Sequence, residues 1–160
     1  MVGTRLVKRF VLLLLLLLLI PVNAYGITRS EVVNRGQSWV DNNIMYSQSK
    51  YYDGYRQDCS GFVSMCWKLD DSYTTRTIDN ISNEISLDEL RIGDAVWTPG
   101  HVVIFVRWVD DSHTSFVVLE ESTWGKPALR REKNITSSSK GYRYIGIEED
   151  IIPLKIRRIL

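Results

Sequence analysis

The sequence predicts an α+β fold in which helices come first and antiparallel strands follow. Three observations carry that expectation. Apolar residues recur at helical spacing within residues 28–69. Beyond residue 94 the pattern changes to short runs rich in Val, Ile and Phe. Turn residues, Pro99-Gly100 and Asp110 to His113, divide those runs at hairpin distances. At 160 residues, with 44% hydrophobic and 24% charged, the chain has the size and composition of one globular domain.

The N-terminal segment reads differently from the rest. Arg5, Lys8 and Arg9 precede an unbroken apolar run from Val11 to Ile20, Pro21 ends it, and small residues follow up to Ala24. That is the layout of a secretory signal peptide, here residues 1–24. The run is too short for a bilayer span, which needs about 20 apolar residues. A secreted, extracellular protein without a membrane association after cleavage is expected. The three basic residues leave with the signal and no acidic one does, which takes the formal charge from +1 to −2. Neither balance suits a nucleic-acid binder. Five tryptophans and eight tyrosines suit a packed core or a groove for an extended polar ligand.

Each element follows from local chemistry. Thr28 with Glu31 three residues later matches a capping box, and Val32, Val33, Trp39 and Val40 share a helical face, so a helix is expected from Thr28 to Asn42. Met45 to Gln57 reads as a polar, tyrosine-rich loop. Asp58 is a good N-cap for a second helix, from Cys59 to Leu69, whose stripe runs through Phe62, Val63 and Cys66. Asp70 to Asn83 reads as loop, and Ser86 to Leu90 as one helical turn. Strands are expected over Asp94 to Thr98, His101 to Trp108 and Ser115 to Glu121, with weaker signals over Ala128 to Glu132, Tyr142 to Ile147 and Leu154 to Ile159.

Cys59 and Cys66 lie seven residues apart on one expected helix. At about 1.5 Å per residue their Cα atoms stand about 10 Å apart. A disulfide needs less than about 7 Å, so the two should not pair. Asn80-Ile81-Ser82 and Asn134-Ile135-Thr136 are glycosylation sequons.

Cys59 begins its helix, where unpaired amides and the helix dipole favour a thiolate and offer donors to an oxyanion. Position alone supports a nucleophile and a buried structural cysteine equally; Cys66 is read as structural. A thiol nucleophile needs a base. Of the two histidines, His101 starts a buried strand after Pro99-Gly100, whereas His113 sits in a polar hairpin loop beside Asp110 and Asp111. His101 is preferred. The base needs an orienting acceptor, and the returning strand ends at Glu120-Glu121 beside it. Neighbouring strand residues face opposite ways, so only one glutamate shares the His101 face. Glu120 is favoured over Glu121, with the register left open. Two histidines and two distant cysteines give no metal-ligand spacing, and no glycine-rich phosphate loop occurs, so neither metal nor cofactor is expected.

These segments resemble those of a known family. Asp58-Cys59-Ser60-Gly61-Phe62-Val63 is similar to the nucleophile motif of the NlpC-like cysteine peptidases. Leu90 to Val96 resembles their loop before the histidine strand, and Gly100-His101-Val102-Val103-Ile104-Phe105 resembles the histidine motif. The related CHAP amidases often supply an acidic third residue, as Glu120 would be. The resemblance spans Val33 to Ser122. It implies a papain-like NlpC-type fold for a single hydrolase domain, residues 25–160, and hydrolysis of peptide or amide bonds in bacterial peptidoglycan, at stem peptides or cross-bridges. It further implies a monomer with Cys59, His101 and Glu120 catalytic and with Tyr46, Asp58 and Ser60 facing the substrate. Two positions depart from the family pattern: the paired glycines after the tyrosine are replaced by Ser47 to Lys50, and NlpC-like enzymes mostly carry histidine as the third residue. Cysteine before histidine in the chain excludes the circularly permuted lipid acyltransferases of the same superfamily. The alternative function is an inactive secreted module that keeps the fold and binds the cell wall.

Overall fold

A computed structural model describes residues 26–150. The expected signal segment and the strand expected over Leu154 to Ile159 lie outside the described residues. Helix α1 spans Arg29–Asp41 and is capped by Thr28, whose hydroxyl accepts the Glu31 amide at 3.3 Å. The reciprocal half of the expected capping box is absent, because the Glu31 carboxylate turns outward to Lys68 at 3.4 Å. Helix α2 spans Cys59–Cys66, and all eight of its residues are buried. So short a helix is marginal in water and owes its stability to packing.

Helix α2 ends three residues short of the expected Leu69. Lys68 adopts a left-handed backbone, and the chain turns so that the Trp67 indole donates to the Gly93 carbonyl at 2.9 Å. That bond, absent from any local pattern, ties the end of α2 to the loop before the sheet. At the other end of α2, a Cβ on Gly61 would lie 2.0 Å from the Arg56 carbonyl oxygen. Only glycine permits that approach.

The strands in chain order are β1 (Ile27–Thr28), β2 (Tyr51–Tyr52), β3 (Tyr55–Arg56), β4 (Ser82–Ile85), β5 (Ala95–Thr98), β6 (His101–Trp108), β7 (Ser115–Glu120), β8 (Leu129–Asn134), β9 (Lys140–Tyr144) and β10 (Ile147–Glu148). Six of them form one sheet in the order β4-β9-β5-β6-β7-β8, antiparallel at every step. The observed class is therefore α+β. Three differences from expectation stand out. Ser82–Ile85 is an edge strand rather than loop, held by pairing with β9 despite its polar face. The tyrosine-rich loop contains the hairpin β2–β3. Strand β1 pairs in parallel with β10, joining the two ends of the described segment.

The sheet is apolar on both faces. Val102, Ile104, Val117 and Leu119 pack with Val32, Trp39, Phe62 and Val63 of the two helices. Val96, Val103, Phe105, Phe116 and Val118 form a second cluster, covered by Leu87, Leu90 and Trp108. Double-sided burial explains why β6 reads as a continuous apolar run rather than an alternation. A bulge between Phe105 and Arg107 shifts the phase of β6, which turns Trp108 into the second cluster against Phe105, ring centroids 5.0 Å apart.

Buried charges lock the helical layer to the sheet. Asp94 is fully buried and accepts from Arg29 at 3.0 Å, from Arg143 at 2.7 Å and from the Arg91 amide at 2.8 Å. With every lone-pair direction engaged, its charge is compensated; removing one partner would strand a buried carboxylate.

Candidate active site

Cys59 lies at the first turn of α2 and is 8% exposed. Asp58 caps the helix, its Oδ1 accepting the Gly61 amide at 2.8 Å, and its carbonyl takes the Phe62 amide at 2.8 Å. The amides of Cys59 and Ser60 precede both and belong to the first turn, where a helix has no carbonyl for them.

His101 opens β6, directly after the Pro99-Gly100 turn, and its Nε2 lies 2.6 Å from Glu120 Oε2. The ring's other nitrogen, Nδ1, is not engaged by Glu120, and Cys59 stands near enough to act on the imidazole's pKa. Burial alone would push the imidazole down; the neighbouring Cys59 and the hydrogen-bonded Glu120 outweigh it and hold the ring at about 9.

The register explains why Glu120 is the partner. Ile104 pairs with Leu119 across β6 and β7, and both face the helices. One step on, Glu120 stands beside Val103 on the other face, and His101 shares that face two residues away. Glu121 turns to the helical side. Its two carboxyl oxygens are buried without a hydrogen-bond partner among the described residues. Burial first, and Asp58 second, raise its pKa to about 8 against the opposing effect of the Ala128 amide, which donates to the Ile44 carbonyl at 2.7 Å.

Glu120 has the opposite surroundings. It is fully buried, yet it accepts from His101, from Arg131 Nε and from Lys133 Nζ at 3.2 Å. Burial would raise its pKa; the His101 hydrogen bond and the Lys133 and Arg131 charges overcome that and bring it to about 2. Neither Arg131 nor Lys133 was singled out by the sequence reading. The signal was their spacing: residues 129, 131 and 133 of β8 share the Glu120 face, since Glu120 pairs with Leu129 and Val118 with Arg131.

The other sequence candidates are placed as follows. Tyr46 is half-buried, accepts from Gln48 at 3.2 Å and meets Trp124 edge-on at 5.7 Å. With Lys50, Gln57 and Trp124 it lines a cleft of about 250 Å³. Its phenol is pushed above the ordinary value, by burial first and then by Cys59, Asp58 and Glu121, while the Gln48 hydrogen bond opposes the rise; Tyr46 thus stands near the thiol. Asp58 and Ser60 are turned inward. Asp58 Oδ2 accepts from Arg56 Nε, and Ser60 Oγ lies 3.3 Å from Asp58 Oδ1 and accepts from Arg56 Nη2 at 3.1 Å. These atoms hold the helix cap and the Arg56 side chain. Cys66, fully buried, touches the crossing of α1 at Gly36, and burial pushes its thiol far up. Both cysteines are free thiols. His113 lies at the opposite end of β6 from His101, stacked on Trp108 at 4.3 Å with Nδ1 3.2 Å from Asp88. Among the described residues no group of three or more His, Cys, Asp or Glu is arranged to hold a metal ion.

The fold is similar to solved structures of the resuscitation promoting factor interacting protein RipA, one mutated at a histidine (18% identity, TM-score 0.54) and one at a cysteine (20%, 0.53). It is also similar to Rv1477, described as a hypothetical invasion protein of Mycobacterium tuberculosis (18%, 0.55). Each comparison covers 72% of this chain and 61% of the other, so this chain spans about three-fifths of the length of the structures it matches. No family model matches the sequence, and no curated protein does.

Proposed function

We propose that this protein is a cysteine hydrolase of peptide or amide bonds in bacterial peptidoglycan, built on a papain-like fold of the NlpC type and exported after cleavage at Ala24. It is read as a monomeric domain over residues 25–160, needing no cofactor. The observation that carries the reading is the His101–Glu120 pair, in which the imidazole is bonded to a buried, fully compensated carboxylate and has Cys59 among the groups that raise its pKa.

Each group has a role that its surroundings support. Nδ1 of His101 takes the thiol proton, and the sulfur of Cys59 attacks the scissile carbonyl carbon. The oxyanion that forms is met by the Cys59 and Ser60 amides at the helix start. Collapse breaks the C–N bond, and the leaving amine takes its proton from Nδ1. Water then gives a proton to Nδ1 and attacks the thioester; collapse returns the thiolate and releases the acid. Glu120 accepts throughout from Nε2–H, so it holds the tautomer that leaves Nδ1 toward sulfur.

Digestion of purified peptidoglycan, with mass analysis of the released fragments, tests the reading and identifies the bond. Cys59→Ala is expected to abolish release with the circular dichroism spectrum unchanged. Cys66→Ala is expected to keep it and to lower stability by about 1 kcal/mol through a small cavity. Equal loss of activity in both folded variants would overturn the assignment of one nucleophile.

A further inference from the structure

The hydrolytic chemistry leaves aside the cleft on the solvent side of His101. It holds about 540 Å³ and is lined by His101, Leu129, the side chains of Ser122 and Thr123, and three cations, Lys126, Arg131 and Lys133. Among the described residues no acidic one lines it. The carboxylate that its cations meet is Glu120, which is shut off from solvent behind them.

The charges do not balance within the protein. One carboxylate is shared by His101, Arg131 and Lys133. Arg131 spends only its Nε on Glu120; its two terminal nitrogens have no partner among the described residues, and the side chain is 49% exposed. Lys126 is exposed and makes no ion pair among the described residues. Arg131 and Lys133, two apart on β8, repel each other across one sheet face. Such a surplus of positive charge in a concave site draws an anion. A guanidinium with both terminal nitrogens open is the fork that takes a carboxylate by two parallel hydrogen bonds.

The position says which part of a substrate arrives there. The imidazolium must hand its proton to the leaving amine, so the leaving-group half passes His101. The loop from Ser122 to Pro127 lies between this cleft, which it lines with Ser122, Thr123 and Lys126, and the Tyr46–Trp124 cleft. We infer that the cleft binds a free carboxylate on the leaving-group half of the substrate, gripped by the Arg131 fork with Lys126 and Lys133 at its edges. This deepens, and rests on, the reading of the site as a peptide hydrolase. It makes the enzyme selective for acidic over amidated stem peptides.

Two synthetic stem tripeptides, identical except that the leaving-side carboxyl groups are free or amidated, test it. Cleavage by the wild type is measured, and binding of both peptides to Cys59→Ala is followed by calorimetry. The free acid is expected to have a kcat/KM at least about tenfold above the amide, carried mostly by KM. Lys126→Ala should narrow that ratio, and Arg131→Lys, which keeps the charge beside Glu120 but removes the fork, should narrow it further. The same ranking is expected in binding. Equal kcat/KM for acid and amide with an active enzyme overturns the carboxylate site and leaves the hydrolase standing. Acid-selective binding that Lys126→Ala removes, without cleavage of either peptide, keeps the site and overturns the hydrolase. Neither cleavage nor selective binding overturns both.

Discussion

Glu120 and Glu121 are adjacent in the chain, equally buried, and chemically opposite. Glu120 faces His101, Arg131 and Lys133, and its carboxylate is held near 2. Glu121 faces the helical layer, neither oxygen has a hydrogen-bond partner among the described residues, and its carboxyl is pushed to about 8. Burial acts on both in the same direction. The difference is the supply of positive partners, which the pleat delivers to one face only. Burial is therefore not what makes a carboxylate fit to orient a base; the compensating charges are. The two residues also pull stability in opposite directions with pH. A depressed pKa gives Glu120 a contribution present above about 4.5 and lost as pH falls through about 2. A raised pKa gives Glu121 a contribution present below about 4.5 and lost as pH rises through about 8.

The sharpest way to break this contrast is to neutralise each member. Glu120→Gln keeps an acceptor oxygen but removes the charge that supports the imidazolium. It is expected to lower kcat by roughly a hundredfold with little change in KM, a fall of the size expected for a disabled acid–base pair. Iodoacetamide labelling of Cys59 at mildly acidic pH should slow in parallel. Glu121→Gln should do neither, and if it proves the damaging variant, the pairing of β6 with β7 is shifted by one residue.

A second expectation sharpens the Glu121 side. Glu121→Gln removes the cost of ionising a buried carboxyl that has no hydrogen-bond partner among the described residues. Thermal melts should show the variant more stable than wild type above about pH 8, by a few degrees, with the gap closing toward pH 4.5. A gap independent of pH would mean that Glu121 does not titrate across that range.

The smallest effect concerns the support of Glu120. Lys133→Met removes one of its three partners. The Glu120 pKa should rise, because that charge lowers it, and acid unfolding should begin at a higher pH than in wild type. Activity should fall only a few-fold, since His101 and Arg131 still engage the carboxylate.

Several elements were legible in the sequence. Thr28 and Asp58 are cap residues on sight, and both cap the helices that follow them. The apolar runs 101–108 and 115–120 are strands because β-branched and aromatic residues fill them and turn residues bound them. With only two histidines in the chain the choice of a base was short, and the Cys59–Cys66 spacing alone kept both thiols free. Ser82–Ile85 was hidden because its polar residues carry no strand signal; pairing with β9 makes it a strand.

What the sequence determined by itself was therefore local: helix starts, strand cores, the order cysteine before histidine, and a glutamate pair at a strand end. Which glutamate meets the imidazole was decided by the register of β6 on β7, a property of two segments that no local pattern contains. The inward turn of Asp58 and Ser60 depends on Arg56 arriving from the β2–β3 hairpin. The compensation of Glu120 depends on β8 laying Arg131 and Lys133 across the same face. Pleat and pairing set which side chains meet, and they become definite only when distant strands are hydrogen-bonded into one sheet.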